Sequence, residues 1–226
     1  MVLISEFETN TANREQLKRI GRKVRRRLAA HPGVRKLDSD KAELWAVPNF
    51  FDPVECGQLI AMIDAVAQPS AAYEVDYATA YRTSYSGNLD PFDPVVRKLQ
   101  SRIDELIGLD GSWGETLQGQ RYAQGQEFRA HNDWFSSTSP GWESEKARGG
   151  QRSITAMAYL NAVEAGGETG FPRLKLAVKP RPGLLLLWNN ADEDGAPNPF
   201  TLHAGTPVTR GTKYVVTRWY RCGKWY

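Results

Sequence analysis

The sequence predicts an α+β fold, with helices first and short strands after, the β part being a sandwich or jelly roll. Three observations carry this expectation. Apolar residues recur at helical spacing through the first third. Runs rich in β-branched and aromatic residues occupy the second half. Stretches dense in Gly, Pro and Asp separate those runs.

Leu17, Ile20, Val24 and Leu28 line one face of a basic segment, and His31-Pro-Gly stops it. His31 is therefore read as a loop residue. Asp52-Pro53-Val-Glu55 combines an N-cap acid, a proline at the first helical position and a capping-box glutamate. Leu59, Ile60, Ile63 and Val66 form the expected buried face of that second helix. Asp93-Pro94 starts a third, with Val96, Leu99, Ile103, Leu106 and Ile107 inward and Gly108 as a left-handed cap.

From about Glu115 the pattern turns to strands. Residues 153–160 (SITAMAYL) alternate as a sheet with two different faces does, and 183–188 (GLLLLW) reads as a short strand buried on both sides. Residues 213–220 (KYVVTRWY) are β-branched and aromatic. With no internal repeat and no linker, residues 1–226 are expected to form one domain, mainly helical over 1–110 and β-rich over 115–226.

At 226 residues and 41% hydrophobic, the chain can bury one core with an added helical layer. No run of about 18 apolar residues appears, so no membrane span is expected. The start lacks a basic segment followed by an apolar one, so no secretory signal is expected. Two cysteines, Cys56 and Cys222, lack metal-ligand spacing; reduced side chains and a cytoplasmic location follow as expectations. Net charge is only +3, yet ten Lys or Arg and a single acid, Glu15, lie between Arg14 and Lys36. Such a run is either a solvated helix face or a surface for nucleic acid or an acidic partner. No aromatic residues interleave to stack bases, so the phosphate-binding reading rests on charge alone and nucleic acid is not the expected partner.

Chemistry concentrates at three side chains. His131 and Asp133 lie in Gln124-Gly-Gln-Glu-Phe-Arg-Ala-His131-Asn-Asp133, and His203 in Thr201-Leu-His203-Ala-Gly. Two imidazoles and one carboxylate can hold non-haem Fe(II) on one face and leave the other open for oxygen chemistry. In an extended strand His131 and Asp133 would share a face. Lys213 follows His203 by ten positions, and the chain has only three histidines.

These surroundings resemble the prolyl 4-hydroxylase branch of the Fe(II)/2-oxoglutarate dioxygenases. The matching segments are Gln118-Gly-Gln-Arg-Tyr122 onward to Asp133, Gly149-Gly-Gln-Arg152 onward to Asn161, Glu164-Ala-Gly-Gly-Glu-Thr169-Gly-Phe-Pro172, and Leu202-His203 through Lys213 to Trp219. Pro48-Asn-Phe-Phe-Asp and Arg82-Thr-Ser are similar to the family's N-terminal part, less specifically.

The resemblance implies a double-stranded β-helix (jelly roll) core with N-terminal helices packed on one sheet. It makes His131, Asp133 and His203 the Fe(II) ligands and Lys213 the partner of the distal carboxylate of 2-oxoglutarate. Tyr122 and Thr169 match positions that donate hydrogen bonds to that co-substrate; a buried dicarboxylate requires such a cation and donors. Arg152 and Trp219 match positions lining the substrate channel, and Arg82 is assigned to the substrate side with them. The implied activity is O2-dependent hydroxylation of an unactivated carbon, a prolyl residue in a peptide or protein. Decarboxylation of 2-oxoglutarate to succinate and CO2 accompanies it, and ascorbate rescues oxidised iron.

Alternatives stand beside these roles. Tyr122 and Trp219 also suit core packing, and Thr169 also suits a glycine turn. Residues 73–85 form a lid or a packed loop, and residues 136–150 a mobile flap or a packed segment. A free amino acid or small metabolite is the alternative substrate. A zinc hydrolase uses the same donors but needs a nearby base, and no His-Glu-x-x-His occurs. A non-catalytic jelly-roll module and a nucleic-acid oxygenase complete the alternatives. Two departures from the family stand out: Thr206 where relatives often carry cysteine, and Phe128 where tyrosine is common.

Overall fold

In a computed structural model, which describes residues 13–70 and 81–225, the apolar stripe of the first segment does form a helix. Helix α1 (Arg14–Ala29) buries Leu17, Ile20, Val24 and Leu28. Part of its charge serves the fold: Arg27 donates to the Glu105 and Leu106 carbonyls at the end of a later helix (2.8 and 3.1 Å), where a cation opposes the helix dipole. Lys18 pairs with Asp194 at 3.2 Å.

Helix α2 (Pro53–Val66) opens on the expected capping box, with Asp52 accepting from the Glu55 N–H at 2.8 Å and Glu55 from the Asp52 N–H at 3.1 Å. Such a cap is worth about 1 kcal/mol. Leu59 and Ile63 are buried as expected, but Val66, in the last turn, is 38% exposed. Helix α3 (Pro94–Ile107) is capped by Asp93 and ends at Gly108, whose φ of 70° only glycine adopts without cost.

The first 110 residues are less helical than expected. They contribute strands β1 (Arg35–Lys36), β2 (Leu44–Val47), β3 (Gln68–Pro69) and β4 (Tyr85–Asn88). Strands of two to four residues are too short to show a period, and β2 is buried on both faces, so alternation could not reveal it. The later strands are β5 (Gln118–Tyr122), β6 (Phe128–His131), β7 (Arg152–Tyr159), β8 (Ala165–Gly166), β9 (Thr169–Phe171), β10 (Leu176–Val178), β11 (Leu185–Asn189), β12 (His203–Gly205), β13 (Val208–Arg210) and β14 (Lys213–Arg221).

An eight-stranded sheet runs β1-β2-β11-β7-β14-β5-β4-β3, a four-stranded sheet β10-β9-β12-β6, and β13 pairs with β8. All pairings are antiparallel. Side-chain alternation divides the large sheet into two faces. Ile154, Ala156, Leu185, Leu187, Val216 and Tyr220 pack with the apolar faces of the three helices. Met157, Tyr159, Leu186, Trp188, Tyr122 and Val215 pack with Phe171 of the small sheet and form the interior of the jelly roll.

Helix α2 lies close on the large sheet because β5 carries Gly119, where any Cβ would collide with Ile63. We propose that helices and sheets unfold as one unit because of this packing. Gly119→Ala is expected to cost about 1–3 kcal/mol through overpacking. Urea unfolding followed by far-UV and tryptophan signals should show a lower midpoint and a single transition; two separated transitions would contradict a single folding unit.

Two loop expectations resolve differently. Residues 73–80 of the 73–85 stretch lie outside the described residues. Residues 136–150 are not a plain flap: they contain helix α4 (Trp142–Ala147), whose Trp142 and Glu145 are buried. Among the described residues no helix is long and apolar enough to cross a membrane.

Candidate active site

The two histidines meet because β6 and β12 are neighbours and their register sets His203 directly opposite His131. The rings lie 4.2 Å apart between centroids. Each Nδ1 sits against the carbonyl two residues earlier, His131 on Arg129 at 2.8 Å and His203 on Thr201 at 2.9 Å. A carbonyl accepts only, so each Nδ1 carries the proton and each Nε2 keeps its lone pair. Both Nε2 atoms face Asp133, at 3.9 Å from Oδ1 for His131 and 3.8 Å from Oδ2 for His203.

Asp133 does not reach this place by strand alternation. Strand β6 ends at His131, and Asp133 sits in the bend beyond it. What fixes it is the large sheet: Thr155 of β7 donates to its Oδ2 at 2.7 Å. The three donor atoms lie within 4.8 Å of one another, the one such cluster of His, Cys, Asp and Glu among the described residues. Asp133 is buried, its side chain 3% exposed, and His131 at 15% marks the side nearest solvent.

Electrostatics suit a cation here. Burial pushes the His131 pKa down to about 3, helped by the neighbouring His203, so the ring is neutral and free to ligate at pH 7. Burial raises Asp133, but His203, His131, Arg152 and the Thr155 hydroxyl outweigh it and hold its pKa below the ordinary carboxylate value. Phe128 stacks flat on His131 at 3.6 Å and 17°, and Trp188 packs edge-on against His203 at 4.8 Å. The phenyl ring standing where relatives often carry tyrosine thus forms one wall of the site.

The donor set opens on a pocket that Lys213, Tyr122, Thr169 and Trp219 also line. Lys213 and Trp219 share parity on β14 and both face this interior. Lys213 is 2% exposed, and among the described residues no carboxylate lies within ion-pair distance of it. Its ammonium sits 4.7 Å over the Tyr122 ring and 5.9 Å from that of Tyr159. Burial pushes its pKa down to about 8, opposed by Glu168. A Cβ on Gly205 would stand 3.4 Å from this ammonium, so glycine there leaves room beside it. The Tyr122 hydroxyl donates to Gln120 at 2.7 Å, and Thr169 joins the Tyr159 hydroxyl at 2.6 Å. A buried cation set against two tyrosine rings, with no carboxylate at ion-pair distance among the described residues, fits a dicarboxylate; three neutral or anionic donors in the same pocket fit a divalent metal.

The residues that the resemblance assigned to the substrate side are more strongly tied down than the sequence indicated. Arg152 forms a two-pronged ion pair with Glu115, at 2.6 and 2.8 Å, and lies 4.2 Å over the Trp219 ring. Glu115 also accepts from Arg221. Arg82 reaches Ser84 and Gln118 and covers the Phe128 ring at 4.7 Å. Thr206 holds Glu168 at 2.9 Å.

A jelly roll carrying two histidines and an aspartate beside a buried lysine defines the class: a non-haem Fe(II), 2-oxoglutarate-dependent oxygenase. Residues 117–221 match the model of the 2OG-Fe(II) oxygenase superfamily. Prolyl 4-hydroxylase 2 of Arabidopsis thaliana is 31% identical over 215 residues, covering 84% of this chain and 70% of that one. The prolyl 4-hydroxylase subunit alpha-1 of Homo sapiens is 36% identical over 140 residues, 62% of this chain and 26% of that protein. Among solved structures, a viral collagen prolyl hydroxylase from Paramecium Bursaria Chlorella virus-1 in its 2OG complex is 28% identical, with a TM-score of 0.61 over 79% of this chain and 94% of that one. A Trichoplax adhaerens prolyl hydroxylase in complex with a hypoxia inducible factor peptide fragment shares the fold, with a TM-score of 0.61 at 16% identity over 92% and 91% of the two chains. The chain belongs to the prolyl 4-hydroxylase family of 2-oxoglutarate-dependent dioxygenases.

Sequence reasoning missed Thr155, Asn190, Glu115 and Arg221. Parity could have found Thr155, which shares an inward face with Met157 and Tyr159. Glu115 and Arg221 are 106 residues apart and carry no local signal.

Proposed function

We propose that the protein hydroxylates prolyl residues of a peptide or protein, using O2 and converting 2-oxoglutarate to succinate and CO2. The observation that carries this reading is the buried ammonium of Lys213, with no carboxylate partner among the described residues, in one pocket with the His131–Asp133–His203 cluster. His131, Asp133 and His203 hold Fe(II) through the two Nε2 atoms and the carboxylate. Bound there, the metal supplies dioxygen activation coupled to decarboxylation of the keto acid.

The chain's own residues bind, orient and exclude water. Lys213 pairs with the distal carboxylate of 2-oxoglutarate, and the hydroxyls of Tyr122 and Thr169 add hydrogen bonds beside it. Phe128, Trp188 and Phe171 keep the histidine rings in place and solvent out. Arg152, locked by Glu115 against Trp219, gives the substrate a rigid floor rather than a mobile charge. Arg82, over Phe128, lies on the His131 side, where the site comes nearest to solvent. Ascorbate belongs to the reading as the reductant that restores oxidised iron. The buried free thiols Cys56 and Cys222 support a reducing, cytoplasmic compartment.

Mass spectrometry of a proline-rich peptide library, incubated with enzyme, Fe(II), 2-oxoglutarate and ascorbate, tests this reading. Peptides heavier by one oxygen at proline are expected, with more product per enzyme when ascorbate is present. Oxidation confined to free amino acids would overturn the peptide assignment.

A further inference from the structure

Asp133 has two oxygens, and the reading above needs it to use one. A carboxylate that chelated through both would occupy a metal position that 2-oxoglutarate or dioxygen requires. The structure treats the two oxygens differently. Oδ2 accepts the Thr155 hydroxyl proton at 2.7 Å, whereas the bonds recorded among the described residues give Oδ1 no such donor. An ionised carboxylate can only accept, so Thr155 must be the donor of that bond. Its own oxygen then accepts from the Asn190 side-chain amide at 2.9 Å. This order also fixes the amide: the NH2 group faces Thr155, and Asn190 Oδ1 is left buried with no partner among the described residues.

Asn190 is itself held by its backbone. Its N–H donates to Ser153 at 2.8 Å and its carbonyl accepts from Asn198 at 2.9 Å. Asn198 also organises the turn Pro199–Thr201, since its Oδ1 accepts from the Phe200 N–H at 2.9 Å and its carbonyl from the Thr201 hydroxyl at 2.8 Å. The Thr201 carbonyl is the one that orients His203. One loop therefore supports two of the three donors.

We infer that Thr155, directed by Asn190, is a positioning residue that reserves Oδ2 of Asp133 for the protein and leaves Oδ1 as the single metal-binding oxygen. This rests on the Fe(II)/2-oxoglutarate reading. It makes Thr155 responsible for keeping a coordination position free, a role the sequence of β7 does not advertise.

Anaerobic titration with Co(II), read by visible absorption, tests it without turnover, followed by addition of 2-oxoglutarate to the loaded protein. Wild type and Thr155→Ser should bind one Co(II) and then respond to 2-oxoglutarate in the same way. Thr155→Val, close in shape but lacking the hydroxyl, should lose about 10- to 100-fold in metal affinity. Its Co(II) spectrum should also change before 2-oxoglutarate is added, because the second oxygen is released to the metal. Asn190→Ala, which keeps all the backbone bonds, should show a smaller change in the same direction and stands in if Thr155→Val does not fold. Valine or Asn190→Ala variants with wild-type Co(II) spectrum and affinity would overturn the inference while leaving the functional reading intact. Failure of the wild type itself to bind Co(II) or 2-oxoglutarate would overturn both.

Discussion

Lys213→Ala is expected to weaken 2-oxoglutarate binding by on the order of 10²- to 10³-fold, a loss of about 3–4 kcal/mol, because it strands a buried carboxylate without its cation. The folded protein should tolerate the change. Lys213 is buried without a carboxylate partner among the described residues, so its removal relieves a desolvated charge rather than breaking an ion pair. Isothermal titration of the Co(II)-loaded protein reads the affinity, and a thermal melt reads the stability. The combination of weak binding and undiminished melting temperature separates a binding role from a structural one. Unchanged affinity would remove Lys213 from the site.

The same group gives this binding a pH dependence whose sign is set. Burial lowers the free Lys213 pKa to about 8, and a bound carboxylate favours the charged form, so the pKa rises on binding. Binding therefore takes up a proton above pH 8. Affinity should be flat below about pH 8 and fall as pH rises beyond it, until the bound pKa is passed. The facing groups are Tyr122, Tyr159 and Glu168; burial holds both tyrosines above their ordinary value, so neither titrates before the lysine does. A dissociation constant that stays level well above pH 8 would show that Lys213 does not change charge with binding.

His203→Ala is the second large effect. Removing one of three donors should cost more metal affinity than the about 100-fold typical of outer-shell losses, and turnover should fall to background. The imidazole also packs against Trp188 and Phe171, so the variant needs a check of fold by circular dichroism. His131→Ala, nearer solvent, should lose metal as completely with less effect on stability. Retained stoichiometric metal in either variant would exclude that histidine as a ligand.

The site was legible in the sequence wherever a rare residue sat in an informative neighbourhood. His131 and His203 are two of three histidines, each inside a segment with family character. Lys213 and Trp219 came from the family resemblance; their shared parity along β14, which spans nine residues, agrees with it. The same reasoning gave the right neighbours for the wrong reason at Asp133, where the strand stops two residues short. It failed at β1, β3 and β4, which are too short or too exposed to show a period. Parity marks Thr155 as inward-facing, but its bond to Asp133 and that of Asn190 to Thr155 span 22 and 35 residues, and such long-range hydrogen bonds leave no trace in local composition. Helices α1 to α3, whose caps and stripes are local, were read to within a residue or two, whereas the six-residue α4 was not. Burial along α2, decided by tertiary contacts, went astray at Ile60, which is half-buried, and at Val66 in the final turn, which is exposed.

The central claim is that His131, Asp133 and His203 together bind iron that consumes 2-oxoglutarate. Succinate released by the purified chain under air, with one equivalent of Fe(II), 2-oxoglutarate and a proline-rich peptide, measures this directly. Succinate should accumulate in step with peptide gaining one oxygen, and both should vanish in the Asp133→Ala protein. No succinate from the iron-loaded wild type, or equal succinate from Asp133→Ala, would contradict it.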